Sequence, residues 1–294
     1  MIDFFNYLIN GFLQGQIYAL LALGFMVIYR ASKVFNFAQG ELMMLGAYAV
    51  WTLAVGVNLP LWQAIPLAFV CAVAYGWLIE RLFFERLVGE SVFSMVMVTI
   101  GLVILIRGVV LVVWGAADRS FPVLLPPAPL ILGEMIFPSS LVIGAGLTLV
   151  VTVAMSWFFN RTRMGLMLTA VAEEPNTAIS LGISVKRAVT LAWMMGSVIA
   201  TAGAMVLLSG RSITVQTADV ALASLPVALL AGLESIGGLI LAGAIVGIVQ
   251  ALVAAYVDPV IGGAASSIVP FVFMLLILLV RPTGLFGWRH VERV

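Results

Sequence analysis

Long apolar runs separated by short islands of Lys and Arg constrain this chain more than any motif in it. From Val92 to Trp114 a single charge, Arg107, interrupts an otherwise apolar stretch. A helix needs about 20 mainly apolar residues to cross the hydrocarbon core of a bilayer, and this run supplies them. Comparable runs lie at Phe12–Tyr29, Leu42–Val57, Leu61–Ile79, Leu141–Phe159, Ala188–Leu208, Val220–Leu233, Ser235–Tyr256 and Ala264–Val280. Val220–Leu233 is short and holds Pro226, and Leu42–Val57 is barely long enough. Such segments mark broken or re-entrant helices. The expectation is an all-α integral membrane protein with eight or nine transmembrane helices, some of them short or broken. Strict apolar/polar alternation, the signature of a membrane barrel, is absent. With 63% hydrophobic and 9% charged residues, too little polar surface exists to cover a water-soluble core, so residues 1–294 read as one membrane domain.

The cations set an orientation, because Lys and Arg are retained on the cytoplasmic side during insertion. With the amino terminus periplasmic, Arg30, Lys33, Arg81, Arg86, Arg161, Arg163, Lys186, Arg187, Arg281, Arg289 and Arg293 fall inside, whereas Arg119 and Arg211 fall outside. The carboxyl terminus is then cytoplasmic. Asp3 and no cation precede the first run, which reads as a permanent helix rather than a cleaved signal. Residues 115–138 form the long periplasmic loop, an irregular cap in which Pro122, Pro126, Pro127 and Pro129 exclude a helix. Residues 160–187 form the long cytoplasmic loop.

Small residues four apart allow helix backbones to approach closely in lipid. Gly11, Gly15 and Ala19 form one such ridge, Gly196, Ala200 and Ala204 a second, and Gly243, Gly247, Ala251 and Ala255 a third. Spacing leaves open whether they meet within the chain or across a subunit boundary.

Enzymatic chemistry has little to work with. His290 is the one histidine and Cys71 the one cysteine, so no His-based triad, disulfide or His/Cys metal site can be assembled and no cofactor is expected. A P-loop needs Lys followed by Ser or Thr, but Lys33 precedes Val34 and Lys186 precedes Arg187. If ATP is used, another polypeptide binds it. A formal net charge of +1 offers no case for nucleic acid.

The polar residues within the apolar runs therefore carry the argument. Arg107 either lines a solute path or snorkels to the outer interface. Asn36, Gln39 and Glu41 open the short second run, where Glu41 is either a helix cap at the cytoplasmic interface or a gate residue at the inner mouth of a path. Glu234, between Gly232 and Gly237, is its counterpart beside the other short run. In the cytoplasmic loop, Glu173 and Glu174 precede Pro175 and Asn176, which predicts a short helix from Pro175 to Leu181 ended by Gly182. Ala178, Ile179 and Leu181 would give it an apolar edge suited to docking.

At these residues the chain resembles a known family, the smaller (LivH-type) permease subunit of high-affinity branched-chain amino-acid ABC importers. The likeness runs through Gly15-Gln16-Ile17-Tyr18-Ala19-Leu20, Asn36-Phe37-Ala38-Gln39-Gly40-Glu41, Arg163-Met164-Gly165, Ala172-Glu173-Glu174-Pro175 and Arg281-Pro282-Thr283-Gly284-Leu285-Phe286-Gly287. Gln39 stands where the family often has His. The resemblance implies a heterodimer with a second permease subunit, two cytoplasmic ATPase subunits and a periplasmic solute-binding protein, in the bacterial inner membrane. It makes Ala170–Gly182 the coupling helix seated on an ATPase and points to leucine, isoleucine and valine, although similar permeases serve urea, amides or aromatic acids. An ion-coupled secondary transporter is the alternative from another class. It needs a carboxylate well inside a span, and with Glu41 and Glu234 near the inner boundary none is expected there.

Overall fold

The computed structural model describes residues 2–87, 90–281 and 284–287; Pro282, Thr283, Arg289, His290 and Arg293 lie outside the described residues. The helices are α1 (Ile2–Ser32), α2 (Gln39–Trp51), α3 (Leu61–Ile79), α4 (Val92–Trp114), α5 (Ser139–Arg161), α6 (Arg163–Glu173), α7 (Pro175–Ser180), α8 (Val185–Leu208), α9 (Thr217–Leu222), α10 (Leu225–Ala231), α11 (Gly238–Tyr256), α12 (Asp258–Ile261) and α13 (Ala265–Val280). Six stretches are long and apolar enough to cross a membrane: Asp3–Ser32, Leu61–Leu87, Val92–Trp114, Ser139–Arg161, Val185–Leu208 and Gly238–Tyr256. Thr217–Ala231 and Ala265–Val280 are shorter apolar helical stretches.

Helix α1 is the centre of the bundle. Apolar side chains gain little from leaving lipid for one another, so close backbone approach must hold helices together. The ridge of α1 meets the ridge of α11: Gly15 lies on the Gly243 backbone and Gly11 on Gly247 and Ala251, so a Cβ at either α1 glycine would overlap its neighbour. The first and third ridges thus meet inside one chain. On the second ridge, Gly196 of α8 lies against Ile28 of α1. Polar side chains add links, Gln16 Nε2 donating to Ile240 O at 3.2 Å and Tyr75 Oη to Leu42 O at 3.1 Å. The outward faces of α4, α5 and α13 are bare and apolar, as at Val112, Val150 and Leu279.

One end of the bundle gathers the tips of α4 and the loops beyond it. Trp114 Nε1 donates to Thr52 Oγ1 at 2.8 Å, and strand β1 (Arg119–Ser120) pairs antiparallel with a strand far along the chain, Ser212–Ile213. Between them β2 (Leu130–Leu132) and β3 (Met135–Phe137) form a hairpin, and Ser212–Ile213 is β4. The prolines keep helix out of residues 115–138 as expected, but the proline-free stretch after Pro129 is free to pair, with Gly133 at φ +64 turning the chain.

At the opposite end, residues 160–187 hold a second helix beside the expected short one. Residues Arg163–Glu173 form α6, started by Thr162 Oγ1, which accepts from Gly165 N at 3.0 Å. Gly165, Leu168 and Val171, three apart, are its buried face. The short helix α7 follows as predicted, and Gly182 at φ +79 ends it.

The two suspect runs differ. Three non-helical residues, Val34 to Asn36, and a turn at Phe37–Ala38 precede α2, which runs without a break into a π-helical turn at Thr52–Gly56. The second run is divided between α9 and α10, with Pro226 in the first turn of α10, where its missing N–H costs nothing.

Candidate functional site

The start of α2 lies inside the bundle. After Lys33, which adopts a left-handed backbone at φ +53, the chain turns back between α1 and α8. Asn36 Oδ1 accepts from Ala38 N at 3.1 Å, Asn36 Nδ2 donates to Gln39 Oε1 at 3.3 Å, and Gln39 Nε2 donates to Gly196 O at 3.2 Å. Asn36 and Gln39 are 1% and 2% exposed, so these bonds satisfy polar groups cut off from water. Gly24 makes room for the Gln39 amide. At 1.5 Å per residue, Gly24 and Gly196 lie about 12 and 16 Å from the ends of their helices nearest Lys33. Glu41, in the first turn of α2, therefore lies inside the bundle rather than level with the ends of α1 and α8 nearest Lys33.

Just beyond, three charges from three helices meet. Arg107 Nε donates to Glu41 Oε1 at 2.9 Å, and its Nη2 donates to Asp219 Oδ1 at 2.5 Å. The side chains of Glu41, Arg107 and Asp219 are 3%, 31% and 49% exposed. Arg107 lies about 22 Å along α4 from Val92, well inside the apolar stretch. It does not snorkel to a helix end; it turns inward. An Arg this deep costs roughly 2.5–3.5 kcal/mol on insertion scales, which its two carboxylate partners offset. Gly40 lets α9 close over α2, since a Cβ there would strike the Ala218 backbone. Asp219 is absent from the sequence reading, which began the run at Val220. The overlooked signal was a lone acid opening an apolar run in a chain holding an unmatched Arg. Glu41 and Asp219 open the short helices α2 and α9 rather than lying within one of the six long apolar stretches, and both are brought to Arg107 of α4.

A second cluster lies at the start of the Val34–Ala38 lead-in to α2. Lys33 Nζ lies 2.7 Å from Glu173 Oε1 and 2.5 Å from Glu234 Oε1, linking the ends of α1, α6 and α10. Burial alone would pull the ammonium down, but hydrogen bonds and charge from Glu173 and Glu234 outweigh it and hold Lys33 above its ordinary pKa. Glu234 is thus remote from Glu41 and belongs to this ionic knot. It follows Gly232 at φ +81 and Leu233 at φ +36, a turn clamped by Leu285 N, which donates to Leu230 O at 2.8 Å. Gly284 fits against Gly232, which gives the Gly284-Leu285-Phe286-Gly287 tail a structural reason.

Glu174, Pro175, Asn176 and Gly182 are exposed beside the knot. Ala178 is not part of an apolar edge: it is 2% exposed and faces inward, while Ile179 and Leu181 are 56% and 74% exposed. On a helix this short only one face can point outward. A cavity of 390 Å³ lies between the knot and the α2 start, lined among others by Lys33, Asn36, Phe84, Asn176 and Trp193. Among the described residues, no group of three or more His, Cys, Asp or Glu could hold a metal ion.

Comparison with known proteins agrees with this arrangement. The family model for the branched-chain amino acid transport system permease component matches residues 7–278. The high-affinity branched-chain amino acid transport system permease protein LivH of Salmonella typhimurium is 28% identical, covering 99% of this chain and 98% of its own length. BraD of Pseudomonas aeruginosa, a permease protein of the same description, is 28% identical over 98% of this chain and 97% of its own. LivH of Escherichia coli K12 is 29% identical over 99% and 98%. No solved structure matches the chain significantly. With a multi-pass helical bundle, charges paired inside it and a family match over nearly its whole length, the chain belongs to the permease components of branched-chain amino acid transport systems.

Proposed function

We propose that this chain is one of two permease subunits of a binding-protein-dependent ABC importer in the bacterial inner membrane, and that it forms part of the path for branched-chain amino acids. The named relatives support the substrate class. On this reading residues 1–294 are a single transmembrane permease domain that makes nine transits, with α2 and its non-helical lead-in as one and α9–α10 as another. The amino terminus is periplasmic and the carboxyl terminus cytoplasmic. The end carrying Lys33, Glu173, Lys186 and Glu234 faces the cytoplasm, in keeping with the cation bias. Residues 115–138 cap the periplasmic side, and 160–187 form the cytoplasmic loop with the coupling helix.

The observation that carries the proposal is Lys33, a single cation joining Glu173, next to the exposed Glu174–Gly182 segment, to the segment that ends at Asn36, Gln39 and Glu41. A push on that segment by a cytoplasmic ATPase would reach the buried polar start of α2 through the Lys33–Glu173 ion pair. Two ATPase subunits supply the energy, a periplasmic solute-binding protein delivers the solute, and the second permease completes the path. Arg107 and Glu41 line that path, Asn36 and Gln39 form its inner gate, and Glu234 acts through the knot.

The buried Glu41 gives the ion-coupled carrier its best support, yet Arg107 neutralises it. The deciding experiment is leucine uptake into proteoliposomes containing the whole importer or this chain alone. Uptake that requires ATP and all partners is expected; uptake by the lone chain, driven by an ion gradient and indifferent to ATP, would overturn the proposal.

A further inference from the structure

Arg107 and Asp219 are bonded to each other, but their surroundings differ from those of a structural ion pair. Glu41, at 3% exposure, is sealed beneath them and fixes one edge of the guanidinium. Asp219 is half exposed, at a depth where α4 is otherwise apolar. The two bonds use two of the five N–H donors of Arg107. Ile104, about one turn before Arg107 on α4, and Val220, next to Asp219 on α9, are exposed apolar side chains flanking the pair.

We infer that Arg107 and Asp219 form a transient binding site for the two charged ends of an α-amino acid, with Glu41 as the residue that positions Arg107. This rests on the permease reading and adds to it the residues that hold the two charged ends of the solute. The incoming carboxylate takes the Nη2 edge of Arg107 from Asp219, and the released Asp219 takes the ammonium. One ion pair is exchanged for two and the formal charge of the site is unchanged, so neither end is left bare in a medium where an unpaired charge is costly. A monocarboxylate would free Asp219 without a partner. A monoamine could not displace Asp219 from Arg107, and a neutral amide offers no charge for either. Ile104 and Val220 give the branched side chain an apolar wall. Selection for a zwitterion would then be built into the permease itself.

The test uses the whole importer in proteoliposomes with Cys71→Ala and Gln216→Cys, the exposed residue at the start of α9 one turn before Asp219, which leave the three charged residues and the apolar wall intact. The rate of modification by a trimethylammonium methanethiosulfonate reagent is measured with leucine, 4-methylpentanoate or 3-methylbutylamine at equal concentration. Leucine is expected to slow modification about fivefold or more and the two single-charge analogues to have little effect; Asp219→Asn should abolish the protection. The inference is overturned if all three compounds protect equally, if none does, or if Gln216→Cys resists the reagent, while the same vesicles still take up leucine with ATP. Failure of ATP-driven leucine uptake by the unmodified importer would instead remove the permease reading beneath it.

Discussion

Two clusters in this molecule have the same inventory, one cation shared by two carboxylates from three segments, and opposite surroundings. Glu41, Arg107 and Asp219 meet deep along α4, whereas Lys33, Glu173 and Glu234 meet where α1, α6 and α10 end. Water can solvate the second cluster if it opens, and its carboxylates are 50% and 24% exposed. The first cannot open toward lipid, and Glu41 has no exposure to fall back on. The sealed Glu41–Arg107 pair is therefore obligatory, whereas the pairs of the knot are free to separate. On the proposed reading the two serve different ends: a polar site that persists inside the membrane, and a latch at the end of the bundle where an ATPase would press.

The largest effect should follow from removing the deep cation. Arg107→Met strands Glu41 as a buried, unpaired charge, which costs about 3–5 kcal/mol, and should sharply lower the thermal unfolding midpoint in detergent. Adding Glu41→Gln should recover more than half of that loss, because no bare charge remains. If single and double variants unfold alike, the contrast between the clusters is lost.

Lys33→Met should cost about 1 kcal/mol or less in the same assay, as expected for a partly solvated pair. Its effect should appear in function instead, with uptake falling about tenfold while the assembled importer continues to hydrolyse ATP. Equal loss of both would reduce the knot to a structural tie. Smaller still is Lys186→Gln: its pair with Glu85, at 2.5 Å, lies on the exposed surface, and no change in unfolding midpoint or uptake is expected.

The smallest expected effect is a null one with a definite sign. The folded pKa of Lys33 is raised, so the knot contributes fully below the unfolded value and is lost only as pH rises through the folded one. With an ordinary Lys value of about 10.4, uptake should show no Lys33-dependent change between about pH 6 and 9. A wild-type transition in that range that vanishes in Lys33→Met would break this assignment.

Legibility in the sequence followed physical scale. Apolar runs and cation islands are local, and their boundaries for α4, α5 and α8 fall within a few residues of the helices observed. The ridges were visible because close approach needs small residues at fixed spacing, and Gly15 does meet Gly243. Helix α6 was missed because its face is only three residues, Gly165, Leu168 and Val171, among charges that read as loop. The pairing of Arg107 with Glu41 and Asp219 was not legible. No spacing connects residues that far apart, and the non-helical Val34–Ala38 lead-in to α2 has no periodicity to announce it. For the same reason Glu234 was grouped with Glu41, although it sits on Lys33.

The most direct test of the account measures leucine uptake and ATP hydrolysis together on the importer carrying Ile179→Asp and Leu181→Asp, two side chains on the exposed edge beside Glu173. The account predicts normal insertion of this chain, continued basal hydrolysis and loss of uptake, because the motor no longer grips the segment tied to Lys33. Uptake at the unmodified rate with both substitutions in place would contradict it.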